Sequence, residues 1–117
     1  YCNAGHNAPL IINTNGNVIP VQVIPNLPLG LFDGFPYEGQ EMVLDKQMML
    51  YMFTDGVPEA ENNAKELLGD ERLSALLKLN ASLTPDEIID ETFALVDRHA
   101  DGAEQSDDIT VMCFKYC

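Results

Sequence analysis

Six consecutive apolar residues, Met48-Met49-Leu50-Tyr51-Met52-Phe53, stop abruptly at Thr54-Asp55-Gly56. The run is short for a helix, its Tyr and Phe favour extended backbone, and Asp-Gly is turn chemistry. The pattern therefore predicts a strand buried on both faces. Such a strand needs neighbours on its edges and a layer to cover it, and the rest of the chain offers candidates for each. Leu10-Ile11-Ile12 and Val18 to Val23 flank Asn13-Thr14-Asn15-Gly16-Asn17, where Asn-Gly tolerates positive φ, so residues 10–23 predict a hairpin. Pro20 lacks an amide donor, which places its strand at an edge or bulge. Met42-Val43-Leu44 predicts a further strand, and the β-rich run from Ile109 to Tyr116 a final one.

The covering layer comes from helical periodicity. Glu71 to Asn80 places Leu73, Leu76 and Leu77 on one face. A second helix starts at Thr84-Pro85-Asp86-Glu87, where Thr84 can cap, Pro85 suits the first helical position and Glu87 completes a capping box. Ile88, Ile89, Phe93, Val96 and Ala100 form its apolar stripe, and His99 near its end complements the helix dipole. Val57 to Asn62 predicts a short helix. Between hairpin and central strand, Pro25, Pro28, Pro36 and Gly30, Gly34, Gly39 predict a long ordered loop, which in a compact domain is functional or covers a sheet end.

At 117 residues the chain is one domain or part of one. No apolar run approaches the roughly 20 residues that span a bilayer. Nineteen acidic against six basic residues give a formal charge of -13, which repels phosphate backbones and anionic lipid surfaces. Nucleic acid and membrane are therefore not expected as partners. Most of the acids, Glu59, Glu61 and Glu91 among them, read as solvated surface. Cys2, Cys113 and Cys117 are odd in number and lack CxxC spacing, so they suggest neither a disulfide framework nor a zinc site and fit a cytoplasmic setting, with Cys113 a small core residue. Met42, Met48, Met49 and Met52 read as core filling.

Chemistry is expected at strand ends. Asp55 follows one apolar strand and Asp107 precedes another; if the two pair antiparallel, both carboxylates reach the same end of the sheet. Two such carboxylates repel unless a hard divalent cation sits between them, and Asp oxygens suit Mg²⁺ or Mn²⁺. Asp-Gly and Asp-Asp are also ordinary turn and strand-end sequence.

Resemblance adds to this reading. Tyr1-Cys2-Asn3-Ala4-Gly5-His6-Asn7-Ala8-Pro9, Pro28-Leu29-Gly30, Phe53-Thr54-Asp55-Gly56-Val57 and Gln105-Ser106-Asp107-Asp108-Ile109-Thr110 resemble, in order and spacing, the closing motifs of PPM-type phosphatases, more narrowly the SpoIIE/RsbU branch. Pro58 and Ala8-Pro9 depart from the usual Thr and Pro-Pro. The resemblance implies an α+β fold, part of an α-β-β-α sandwich with mainly antiparallel sheets, in which Asp55 and Asp107 help to hold two Mn²⁺ or Mg²⁺ ions. Gly56 and Asp108 are expected to support those ligands, Asp108 by bonding turn amides. His6 is a candidate general acid or donor behind the metal shell, or else a ring that bonds the backbone of an adjacent turn.

The implied reaction is hydrolysis of phosphoserine or phosphothreonine on a regulatory protein, in sigma-factor or two-component signalling, by a metal-activated water. The family's earlier Asp-Gly motif has no counterpart here. Residues 1–117 are thus expected to be the C-terminal portion of one phosphatase domain, inactive alone and prone to self-association through exposed sheet. The competing expectation is a non-catalytic module that binds a partner protein through the Pro/Gly loop and the acidic surface.

Overall fold

In the computed structural model, which describes all 117 residues, the elements run β1 (Leu10–Ile12), β2 (Val18–Pro20), β3 (Met49–Phe53), α1 (Asp70–Leu79), α2 (Pro85–Ala100) and β4 (Val111–Lys115). The strands form one antiparallel sheet in the order β2-β1-β3-β4. Asn13 organises the β1–β2 turn: its Oδ1 accepts from the amides of Asn15 and Asn17 at 3.0 and 2.9 Å, and Gly16 takes a φ of +78°. The strand that carries Pro20 lies at an edge, where the missing donor breaks no ladder bond.

β3 is central, with Tyr51 opposite Leu10 on one side and Cys113 on the other. Both helices cover one face of the sheet. There Ile12, Met49, Tyr51 and Phe53 pack with Leu73 and Leu77 of α1 and with Ile88 and Val96 of α2. The result is an α+β arrangement. The capping box forms at Thr84: its amide and hydroxyl donate to Glu87 Oε2 at 2.8 and 3.0 Å, and its Oγ1 accepts from the Glu87 amide. No helix is long and apolar enough to cross a membrane.

Four expectations are corrected. β3 is fully buried on one face only, because Leu50 and Met52 point away from the helices and stay partly exposed. Met42–Leu44 is not a strand: β1 and β4 already occupy both edges of β3, and Val43 is 86% exposed. Residues 57–62 form turns instead of a helix, since the carbonyls of Pro58 and Ala60 are taken by the amides of Gly69 and Leu68 at 2.8 and 2.9 Å. In α2 the buried stripe is Ile88, Thr92 and Val96, while Phe93 faces outward. Thr92 can be buried because its hydroxyl donates to the Ile88 carbonyl at 2.8 Å, leaving its oxygen to accept from the Tyr51 hydroxyl at 2.9 Å.

The long loop is ordered by one side chain. Buried Asn26 donates through Nδ2 to the carbonyls of Asn3, Ile24 and Glu38 at 3.0, 3.2 and 3.2 Å and accepts the Glu38 amide at 2.9 Å. It ties the loop to the first residues of the chain. Gly5 completes that junction, since a side chain there would run into the Pro28 ring.

Candidate metal centre

The β3–β4 ladder continues past Phe53 and Val111 into the segments that carry the acidic residues. The Thr54 amide donates to the Thr110 carbonyl at 3.0 Å, the Thr110 amide donates to Thr54 Oγ1 at 2.9 Å, and that hydroxyl donates to the Asp108 carbonyl at 3.1 Å. This staple locks the exit of β3 against the start of β4. The turn after Asp55 then passes so close to the Asp108 carbonyl that a Cβ on Gly56 would clash with it and with Ile109. Gly56 is required here for space, not for an unusual φ.

Asp55 is exposed, and its carboxylate makes no hydrogen bond within the chain. It lines a cleft of about 560 Å³ with Asn7, Pro58, Glu59 and Asp70. Glu59, expected to be plain solvated surface, therefore belongs to the acidic wall beside Asp55. Asp107 is also exposed and lies on the adjoining segment outside that cleft. Its Oδ1 accepts the Asp108 amide at 2.7 Å, so one of its oxygens is already engaged. The support expected from the Asp108 side chain comes instead from its carbonyl, bound by Thr54, while the Asp107 carboxylate takes the turn amide.

His6 is exposed and lines a different hollow, with Cys2, Leu50 and Met52. Its amide donates to Asn3 Oδ1 at 2.9 Å, and its Nδ1 sits 2.9 Å from the Asn7 carbonyl, which can only accept, so Nδ1 carries the proton. His99 is used for tertiary contact: Nε2 donates to the Glu66 carbonyl at 2.9 Å, and Nδ1 accepts from Arg72 at 2.8 Å.

The donor chemistry of Asp55 and Asp107 fits a hard divalent cation in kind. It falls short in number, since no three His, Cys, Asp or Glu side chains of this chain converge as a metal-holding group. The sequence singles out both aspartates and Gly56 as candidates; it does not point to Thr54 as a staple or to Glu59 and Asp70 as cleft walls. Thr54 lies inside the Phe53–Val57 motif, but nothing in one dimension shows that its hydroxyl spans two strands.

One antiparallel sheet with helices on one face is an α+β arrangement shared with PP2C phosphatase domains. The chain superimposes on the PP2C phosphatase domain of the cell fate determinant SpoIIE from Bacillus subtilis with TM-score 0.72 and 27% identity, covering 97% of this chain and 33% of that one. A manganese-presoaked structure of the same protein's phosphatase domain matches with TM-score 0.65 and 22% identity, over 97% of this chain and 48% of the other. The SiaA-PP2C domain of Pseudomonas aeruginosa shares the fold with TM-score 0.77 at 22% identity, over 97% of this chain and 44% of the other.

The chain belongs to the family described as Stage II sporulation protein E (SpoIIE), whose sequence model matches residues 1–116. It is also 34% identical over 113 residues to Protein IcfG of Synechocystis sp., covering 96% of this chain but 17% of that protein. The chain thus spans a small part of its curated relative and less than half of the solved domains it matches.

Proposed function

We propose that this chain contributes Asp55 and Asp107 as metal ligands to a phosphatase that hydrolyses phosphoserine or phosphothreonine on a regulatory protein in the cytoplasm. The observation that carries the reading is the composition of the cleft beside Asp55: Asp55, Glu59 and Asp70 line it, and no Lys or Arg does. A phosphate dianion approaching that wall is repelled unless cations neutralise it. Membership of the SpoIIE family and the likeness to a manganese-presoaked phosphatase domain support the same conclusion.

Within this scheme, Asp55 offers two free oxygens and Asp107 one, each on a segment fixed by the Thr54 staple. When bound, Mn²⁺ or Mg²⁺ supplies Lewis acidity at the phosphoryl group and an acidified water at neutral pH. Gly56 allows the two backbones to approach closely enough for shared ligation. Asn7, on the segment that follows His6, borders the cleft where the phosphorylated side chain would enter. The remaining ligands must come from residues outside this chain.

Calorimetric titration of the 117-residue chain with Mn²⁺ tests the ligand assignment. Binding should weaken about tenfold or more in Asp55→Ala and in Asp107→Ala, the loss expected when a charged ligand is removed. Affinity unchanged by both substitutions would remove the assignment. For activity, a chain spanning a full SpoIIE-type phosphatase domain should hydrolyse a phosphoserine peptide with Mn²⁺ and lose that activity in chelator; full rate in chelator refutes the mechanism. A second reading, a non-catalytic partner-binding module, draws on the lack of a converged ligand group and on the exposed Leu29, Leu31 and Phe32 of the long loop. A parent protein without the family's earlier Asp-Gly motif would favour it.

A further inference from the structure

Both arginines of this strongly acidic chain, Arg72 and Arg98, line one open hollow of about 730 Å³ that also includes Asn63, Leu95, His99 and Asp101. Although the chain has 19 acidic residues, neither guanidinium has a carboxylate partner: the one ion pair joins Lys65 to Glu61 at 2.8 Å. Arg72 is oriented. The His99 ring, anchored by the Glu66 carbonyl, presents its Nδ1 lone pair to Arg72 Nη1 and fixes that side chain toward α2. The rest of the Arg72 fork and the whole of the Arg98 fork remain free to donate. Asp101 is the single carboxylate lining the hollow, and it leaves both arginines unpaired.

Guanidinium forks match the oxygens of a tetrahedral anion in pairs, which makes arginine better suited than lysine to bidentate phosphate recognition. The acidic remainder of the surface repels such an anion, so this hollow is where it would settle. We propose that Arg98 and Arg72 form an oxyanion site for a phosphate-class dianion, with His99 as the positioning residue for Arg72. The site shares no lining residue with the Asp55 cleft and therefore stands apart from the proposed reaction. Two sources carry this chemistry, free inorganic phosphate and a phosphoryl group borne by a protein.

The test is a heteronuclear NMR titration of the 117-residue chain with inorganic phosphate, repeated with a phosphoserine peptide and with sodium chloride at matched ionic strength. Saturable shifts at Asn63, Arg72, Arg98 and Asp101 are expected with phosphate or the phosphopeptide and not with chloride. Tighter binding of the peptide assigns the site to a protein-borne group, and tighter binding of phosphate to the free ion. Arg98→Gln should weaken binding about tenfold or more, and Arg98→Lys should recover it only in part. Arg98 makes no hydrogen bond through its side chain, so these variants leave the fold intact. Equal shifts with chloride, shifts confined to other residues, or wild-type affinity in Arg98→Gln would overturn the proposal.

Discussion

Gly56 shows how one residue can set the geometry of two segments. Its missing side chain lets the turn after β3 press on the Asp108 carbonyl, whereas a Cβ on Gly39 would meet only ordinary contact with the Tyr1 carbonyl. Gly56→Ala should therefore cost about 1–3 kcal/mol in urea unfolding, as overpacking does elsewhere, while Gly39→Ala stays near wild type. Equal effects at the two positions would mean that the close approach is not what Gly56 provides.

The buried phenol and half-buried thiol of the sheet make a second prediction at this scale. Burial pushes Tyr51 up from 10.0 to about 12 and Cys113 up from 9.0 to about 11. Both groups hold their protons more tightly folded than unfolded, so their contribution is complete below about pH 9. It is lost as pH rises toward 11 and 12. The urea midpoint should fall through that window, and Tyr51→Phe should flatten the upper part of the fall. A midpoint that is constant from pH 8 to 11 contradicts the argument.

Among the elements, α2 is the best specified locally and the most revealing tertiarily. Its start rests on the reciprocal Thr84–Glu87 bonds, and the amide and hydroxyl of Thr84 hold the Glu87 carboxyl below its usual range. Thr84→Ala should cost about 1 kcal/mol, measurable by denaturant unfolding. The cap also weakens as pH falls through the lowered carboxyl range of Glu87, so the difference between Thr84→Ala and wild type should narrow in acid. Along the same helix the sequence places Phe93 inward, yet the sheet selects Thr92, because Tyr51 supplies a hydroxyl at that height and phenylalanine could not accept its hydrogen bond.

At the scale of the whole molecule the helices cover one face of the sheet only, and residues 1–9 with Met42 cover just the Leu50–Met52 part of the other. Register places Ile11, Ile19, Leu50, Met52, Met112 and Phe114 on the opposite face, with Ile19, Met112 and Phe114 about half-exposed. β4 also leaves one edge of the ladder unpaired. An apolar face next to a free edge is a surface that associates. The 117-residue chain should therefore show a mass that rises with concentration in light scattering, and Phe114→Lys should lower it. A constant monomer mass across the range would show that the face is tolerated in water.

The local elements were legible before any coordinates: the hairpin with its Asn-Gly turn, the central strand, both helices and the capping box all follow from periodicity and side-chain chemistry acting over a few residues. Asp55 and Asp107 were legible as strand-end acids for the same reason. What the chain could not disclose by itself depends on which segments meet. Met42–Leu44 has strand character but pairs with no strand of the sheet, Glu59 becomes a cleft wall only once α1 folds beside it, and Thr54 joins two strands whose partners lie more than fifty residues away in sequence. Propensity and pattern are short-range quantities, whereas shared edges, shared cavities and hydrogen bonds across layers are decided by packing, and packing exists only in three dimensions.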